Sequence, residues 1–161
     1  MRNLLKSKKG FTLVEIVIVI AIIGILAMTL IPAVADTLKS RRLQAATEKA
    51  RSVANLMVSG IESGQIPTNE SQKTKLGITD GNLITSFTTE ADITGVSGIE
   101  KMYNNPSENA DLKDPMSRDV KVFKIKYNSS EKTISIYGAD PEGSGDKQLY
   151  VTTSPLTIFD S

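Results

Sequence analysis

The sequence has no cysteine, no histidine and no tryptophan among its 161 residues. Without histidine it lacks the side chain that most often moves protons near neutral pH. Without cysteine it has no thiol nucleophile, disulfide, iron–sulfur ligation or soft zinc ligand. A Ser-His-Asp triad and a Cys-His pair are both excluded. Only carboxylates, Lys and Tyr remain for acid–base work, and aromatics are scarce at 5%. Charge of one sign is lacking too: 19 Lys and Arg face 18 Asp and Glu, a net of +1. So balanced a chain projects no overall field toward nucleic acid or an anionic membrane. Composition thus removes most common mechanisms without forbidding enzymatic function, and the expectation from the sequence as a whole is of a protein that is not an enzyme.

The charge is unevenly placed. Residues 1–10, MRNLLKSKKG, hold Arg2, Lys6, Lys8 and Lys9 and no acid. Removing them leaves 15 basic and 18 acidic residues, so a processed chain carries −3. Further on, Ile16 to Ala35 are 20 consecutive residues without a charge. At about 1.5 Å per residue they make roughly 30 Å of helix, the thickness of a hydrocarbon core. A secretory signal peptide has a shorter apolar core and a small-residue cleavage site after it. Here the run flows into a patterned helix instead, which predicts a single membrane span. The cluster Lys39, Arg41 and Arg42 makes the far flank basic as well. The leader is nonetheless too short and polar to translocate, which places the N-terminus in the cytoplasm. The mean hydropathy of −0.10 makes the rest ordinary soluble protein.

Helical periodicity continues beyond the apolar run. Leu38, Ala46, Ala50, Val53, Met57 and Ile61 recur at three- and four-residue steps, an amphipathic stripe. Gly60 and Gly64, with Pro67 beyond, supply stop signals. One helix is therefore predicted from about residue 11 to about residue 62. Residues 65–118 read as a long connection with short pieces of structure. A meander follows: Phe123, Ile125 and Tyr127 alternate with lysines, Asn128 to Glu131 turn, and Ile134 and Ile136 alternate again. A third strand is expected at Gln148–Thr153 and a fourth at Leu156–Phe159. The sheet would bury its apolar face against the helical stripe.

The string KKGFTLVEI carries the most information. Basic residues lead to Gly10 and Phe11, and Glu15 stands alone within the apolar run. This resembles the class III signal of type IV pilins and pseudopilins. The resemblance implies a pilin fold: an α+β chain whose long N-terminal helix, membrane-spanning then amphipathic, packs on a C-terminal antiparallel β-sheet. It divides the chain into a cleaved leader at 1–10, a membrane and filament-core half-helix at 11–35, an amphipathic half-helix at 36–64, and a head at 65–161. It further implies cleavage between Gly10 and Phe11 by prepilin peptidase, N-methylation of Phe11, and a role for Glu15 in assembly and register. Gly24 and Pro32 fall where the family has helix-loosening residues. The implied partners are membrane lipid in the precursor, the assembly machinery, and further copies in a helical filament at the cell surface.

The rest of the sequence carries weaker signals. LKDP at 112–115 and the later YGADPEGSGD are similar to the C-terminal region of major pseudopilins of secretion or competence systems. Many pilins close this region with a disulfide; here strand pairing or a bound ion must serve. Asp140, Glu142 and Asp146, separated by glycines, form a candidate Ca²⁺ loop, and no other cofactor is implied. The plainer reading of that loop is a solvated turn. Lys39, Arg41 and Arg42 are weak evidence for DNA, since no aromatics interleave them. Ser144 and Lys147 fit a Ser-x-x-Lys pattern, but on a Gly-flanked loop without the helix that chemistry needs. Outside this family, the alternatives are a membrane-anchored binding domain or a hydrolase built on carboxylates. Neither needs the Gly-Phe junction or Glu15.

Overall fold

The computed structural model describes residues 10–117, 119, 121–140 and 145–156. Helix α1 runs without a break from Leu13 to Glu62, through Gly24 and Pro32. The chain divides into two units, Met1–Ser40 and Arg41–Ser161. In the first, every described residue from 10 to 38 is exposed except Ala27. It is the one helix among the described residues that is long and apolar enough to cross a membrane.

In the second unit, the stripe of α1 is buried at Ala46, Ala50, Val53, Ala54, Met57, Gly60 and Ile61. Leu38, expected in that stripe, instead stays 53% exposed in the first unit. Gly60 is not a stop either. It lies inside the helix, where a Cβ would meet Ile66 Cδ1 at 2.7 Å. The stop is Gly64, whose φ of +71° favours glycine. Its N–H donates to Ile61 O at 3.0 Å, and that of Gln65 donates to Gly60 O at 2.8 Å. Both bonds satisfy carbonyls that the helix end would otherwise orphan.

The connection holds two short helices, α2 (Glu70–Lys75) and α3 (Ile99–Met102), two 3₁₀ turns and a two-residue strand, β1 (Ala91–Asp92). Sequence alternation had no way to show a strand so short. It joins β2 (Lys124–Asn128), β3 (Thr133–Ala139) and β4 (Asp146–Val151) in an antiparallel sheet ordered β1-β2-β3-β4. Ile125 pairs with Ile136 and Tyr127 with Ile134, which puts four apolar side chains on one face. These residues share one buried cluster with Ala50, Val53, Met57 and Ile61 of α1 and with Ile84, Ile93, Val96 and Ile99 of the connection. The arrangement is α+β, as expected. The third expected strand starts two residues early, at Asp146, and ends at Val151. Of the fourth, Leu156 is buried outside any strand, and the rest lies outside the described residues.

Candidate functional site

The start of α1 is built from a local hydrogen-bond exchange. A helix leaves its first N–H groups without intrahelical acceptors, and in an apolar setting each needs a partner. Thr12 occupies the N-cap and Glu15 the third helical position. The Thr12 hydroxyl accepts from the Glu15 N–H at 3.3 Å. In return the Glu15 carboxylate accepts from the Thr12 N–H at 2.7 Å and from its hydroxyl at 3.0 Å. This is a capping box. It gives Glu15 a local role at the helix start, and it adds Thr12 to the residues that build it. The spacing Thr-x-x-Glu before an apolar run was the signal for it.

Just ahead of the cap, Phe11 is 84% exposed. A Cβ added at Gly10 would meet nothing within 4 Å, and the same holds at Gly24. Neither glycine is required by packing within the chain. The reason for each must lie in what approaches from outside or in backbone freedom. Pro32 sits inside the helix and cannot donate to the carbonyl of Met28.

The other expected sites stand apart from this one. Arg41 and Arg42 are exposed, and Lys39 is half-buried. Asp146 belongs to β4, where its carboxylate pairs with the Lys124 ammonium of β2. Asp140 N–H donates to Gly145 O at 3.1 Å across the loop. Glu142 and Ser144 lie outside the described residues, and Lys147 is exposed on β4. Among the described residues no three His, Cys, Asp or Glu side chains gather to hold a metal ion. A cation at this loop would have to displace Lys124 from Asp146, so the described residues do not by themselves fit one.

Asp146 holds the Lys124 ammonium above the usual lysine range, with Asp92 and Glu90 adding to the effect. A raised pKa in the folded state stabilises below the unfolded value and is lost as pH rises through the folded one. Asp146→Asn should therefore lower stability near neutral pH, by under about 1 kcal/mol for so exposed a pair. That difference should shrink as pH rises past about 10.4, the ordinary lysine value, and be lost as pH passes the raised value of Lys124 in the folded chain. Thermal melts of both chains at pH 7 and pH 11 check it.

LKDP proves structural. Leu112 is in the core. The buried Asp114 carboxylate accepts from Met116 N–H at 2.8 Å and from Ala139 N–H, where β3 ends, at 2.6 Å.

The helix start, with its exposed phenylalanine, lone acid and long apolar run, lies within the one segment that a family model matches. Residues 5–31 match the prokaryotic N-terminal methylation motif. That motif is the class III signal peptide of type IV pilins. It supports a pilin-like or pseudopilin precursor that prepilin peptidase processes, and the α+β arrangement is consistent with the pilin fold. No curated protein and no solved structure matches the chain.

Proposed function

We propose that this chain is the precursor of a type IV pilin, a structural subunit rather than an enzyme. Prepilin peptidase cuts between Gly10 and Phe11, Phe11 is N-methylated, and the mature chain assembles into a surface filament. The methylation motif over residues 5–31 carries the reading. In the precursor, residues 11–35 span the membrane with the leader in the cytoplasm, held there by its four basic residues. In the filament, the same apolar surface packs against neighbouring copies and against little else of its own chain.

A second reading, the major pseudopilin of a secretion or competence system, is favoured by Asp114. It ties the LKDP segment, which carries the pseudopilin resemblance, to the end of β3. Both readings share one processing step.

The mass of the mature protein tests that step. Mature chain is expected to begin at N-methyl-Phe11 and to lack residues 1–10. Gly10→Val is expected to abolish processing, because a branched side chain keeps the peptidase from the scissile backbone. It should leave the fold intact, since nothing lies within 4 Å of that position. An unprocessed parent chain in surface material would refute the reading.

A further inference from the structure

Two arginines follow the apolar run in sequence and precede the buried stripe. Arg41 and Arg42 are both exposed, and among the described residues no ion pair or side-chain hydrogen bond engages either. The first buried residue of α1 is Ala46, so the head leaves both arginines uncovered. From Asp36 to Thr47 one acid stands against three bases, Lys39, Arg41 and Arg42, a local net of +2. Nothing within the head accounts for the pair.

We propose that Arg41 and Arg42 bind the headgroups of anionic phospholipids at the outer face of the membrane that the precursor spans. The inference rests on the membrane-spanning precursor described above. The charge-free run ends at Ala35, and six or seven further residues of helix put the arginines about 9–10 Å beyond it. The headgroup layer is roughly 5–8 Å deep on each side of a bilayer. Helical side chains lean toward the N-terminus, which here is the membrane side, so the long guanidinium arms reach back into that layer. A guanidinium grips a phosphate through two parallel hydrogen bonds and keeps its charge at any physiological pH. Successive helical residues project about 100° apart, so the two arginines take two lipids rather than sharing one. In the precursor the four leader cations lie at the opposite face, and cleavage removes them. The outer pair then fixes the depth of the processed chain.

Lipid-selective quenching tests this. Because the chain has no cysteine, Leu38→Cys gives a single labelling site, one helical turn before both arginines. The full chain, with a fluorophore there, is embedded in phosphatidylcholine vesicles that hold a small share of nitroxide-labelled lipid. That lipid is either phosphatidylglycerol or phosphatidylcholine. The anionic lipid should quench about threefold or more strongly than the zwitterionic one at equal share. Replacing both arginines, Arg41→Gln with Arg42→Gln, should bring the two lipids to parity. Arg41→Lys with Arg42→Lys keeps the charge without the fork and should retain the preference in part. Lys75→Gln with Lys132→Gln removes the same charge from exposed positions elsewhere and should leave the preference whole. Equal quenching by both lipids in the parent, or a preference that survives the loss of both arginines, would overturn the lipid contact alone. Duplex DNA bound through those arginines by a chain with no lipid preference would make the patch a nucleic-acid site instead. A chain that alkaline carbonate strips from the vesicles would overturn the membrane reading and the lipid contact with it.

Discussion

Glu15→Val is expected to enter the membrane and lose its leader normally, yet to produce no surface filaments. Among Val14, Ile16 and Val17 a charged carboxylate costs about 2.5–3.5 kcal/mol when fully immersed. The valine variant should therefore insert at least as well as the parent. Losing the capping box with Thr12 costs about 1 kcal/mol at a helix end, too little to unfold a 50-residue helix. Assembly differs. Cleavage creates a positive amine on Phe11, and a carboxylate in a low-dielectric interior is then its one counter-charge at that depth. Smooth Ile, Val and Leu surfaces slide past one another, and a single ion pair punishes any misregister. Glu15→Gln separates the two roles of the residue. It keeps an acceptor for Thr12 and lacks the charge, so it should fail to assemble like the valine variant. Surface filaments counted for both, beside the N-terminal mass, decide the matter. Normal filaments from Glu15→Gln would reduce Glu15 to a cap.

Gly98→Ala should be the most damaging small substitution in the head. Gly98 has φ +87°, and an added Cβ would lie 2.3 Å from the carbonyl oxygen of Gln65. The contact is with backbone, in the turn that follows Gly64, so no side chain can swing away. Left-handed strain costs about 1 kcal/mol and the clash adds more, about 3 kcal/mol in all. The expected drop in melting temperature is roughly 10 °C. Gly77→Ala is the control. It has φ +62° with nothing within 4 Å, and should lose only about 1 kcal/mol. Equal losses at both positions would mean that the Gln65 contact gives way.

What the sequence made legible follows from the physics of each signal. The apolar run, the stripe at Ala46, Ala50, Val53 and Met57, and the alternation around Ile125 and Ile136 are periodic over enough residues to read. Boundaries were less legible. Gly60 and Gly64 look alike in sequence, and only packing under Ile66 distinguishes the buried one from the stop. β1 exists because β2 offers it an edge, not because Ala91 and Asp92 prefer a strand. Asp146 reads as a loop acid by composition, while its ladder with Ala139 and its pairing with Lys124 depend on residues distant in sequence. At the functional site, Gly10, Phe11 and Glu15 were legible as a motif. Thr12 was visible only to a reader asking how the first turn of the helix is satisfied.

The buried cluster also sets a timetable. Its earliest member is Ala50 and its last described one is Leu156. The amphipathic half of α1 is therefore synthesised long before the residues that cover it. From Ile61 to Leu156 about 95 residues remain to be made, roughly 5–20 s of translation. Throughout that interval Val53, Met57 and Ile61 have no finished sheet to lie against. Contacts this remote in sequence close slowly, and they close last. The head is thus complete only when the C-terminal strands arrive.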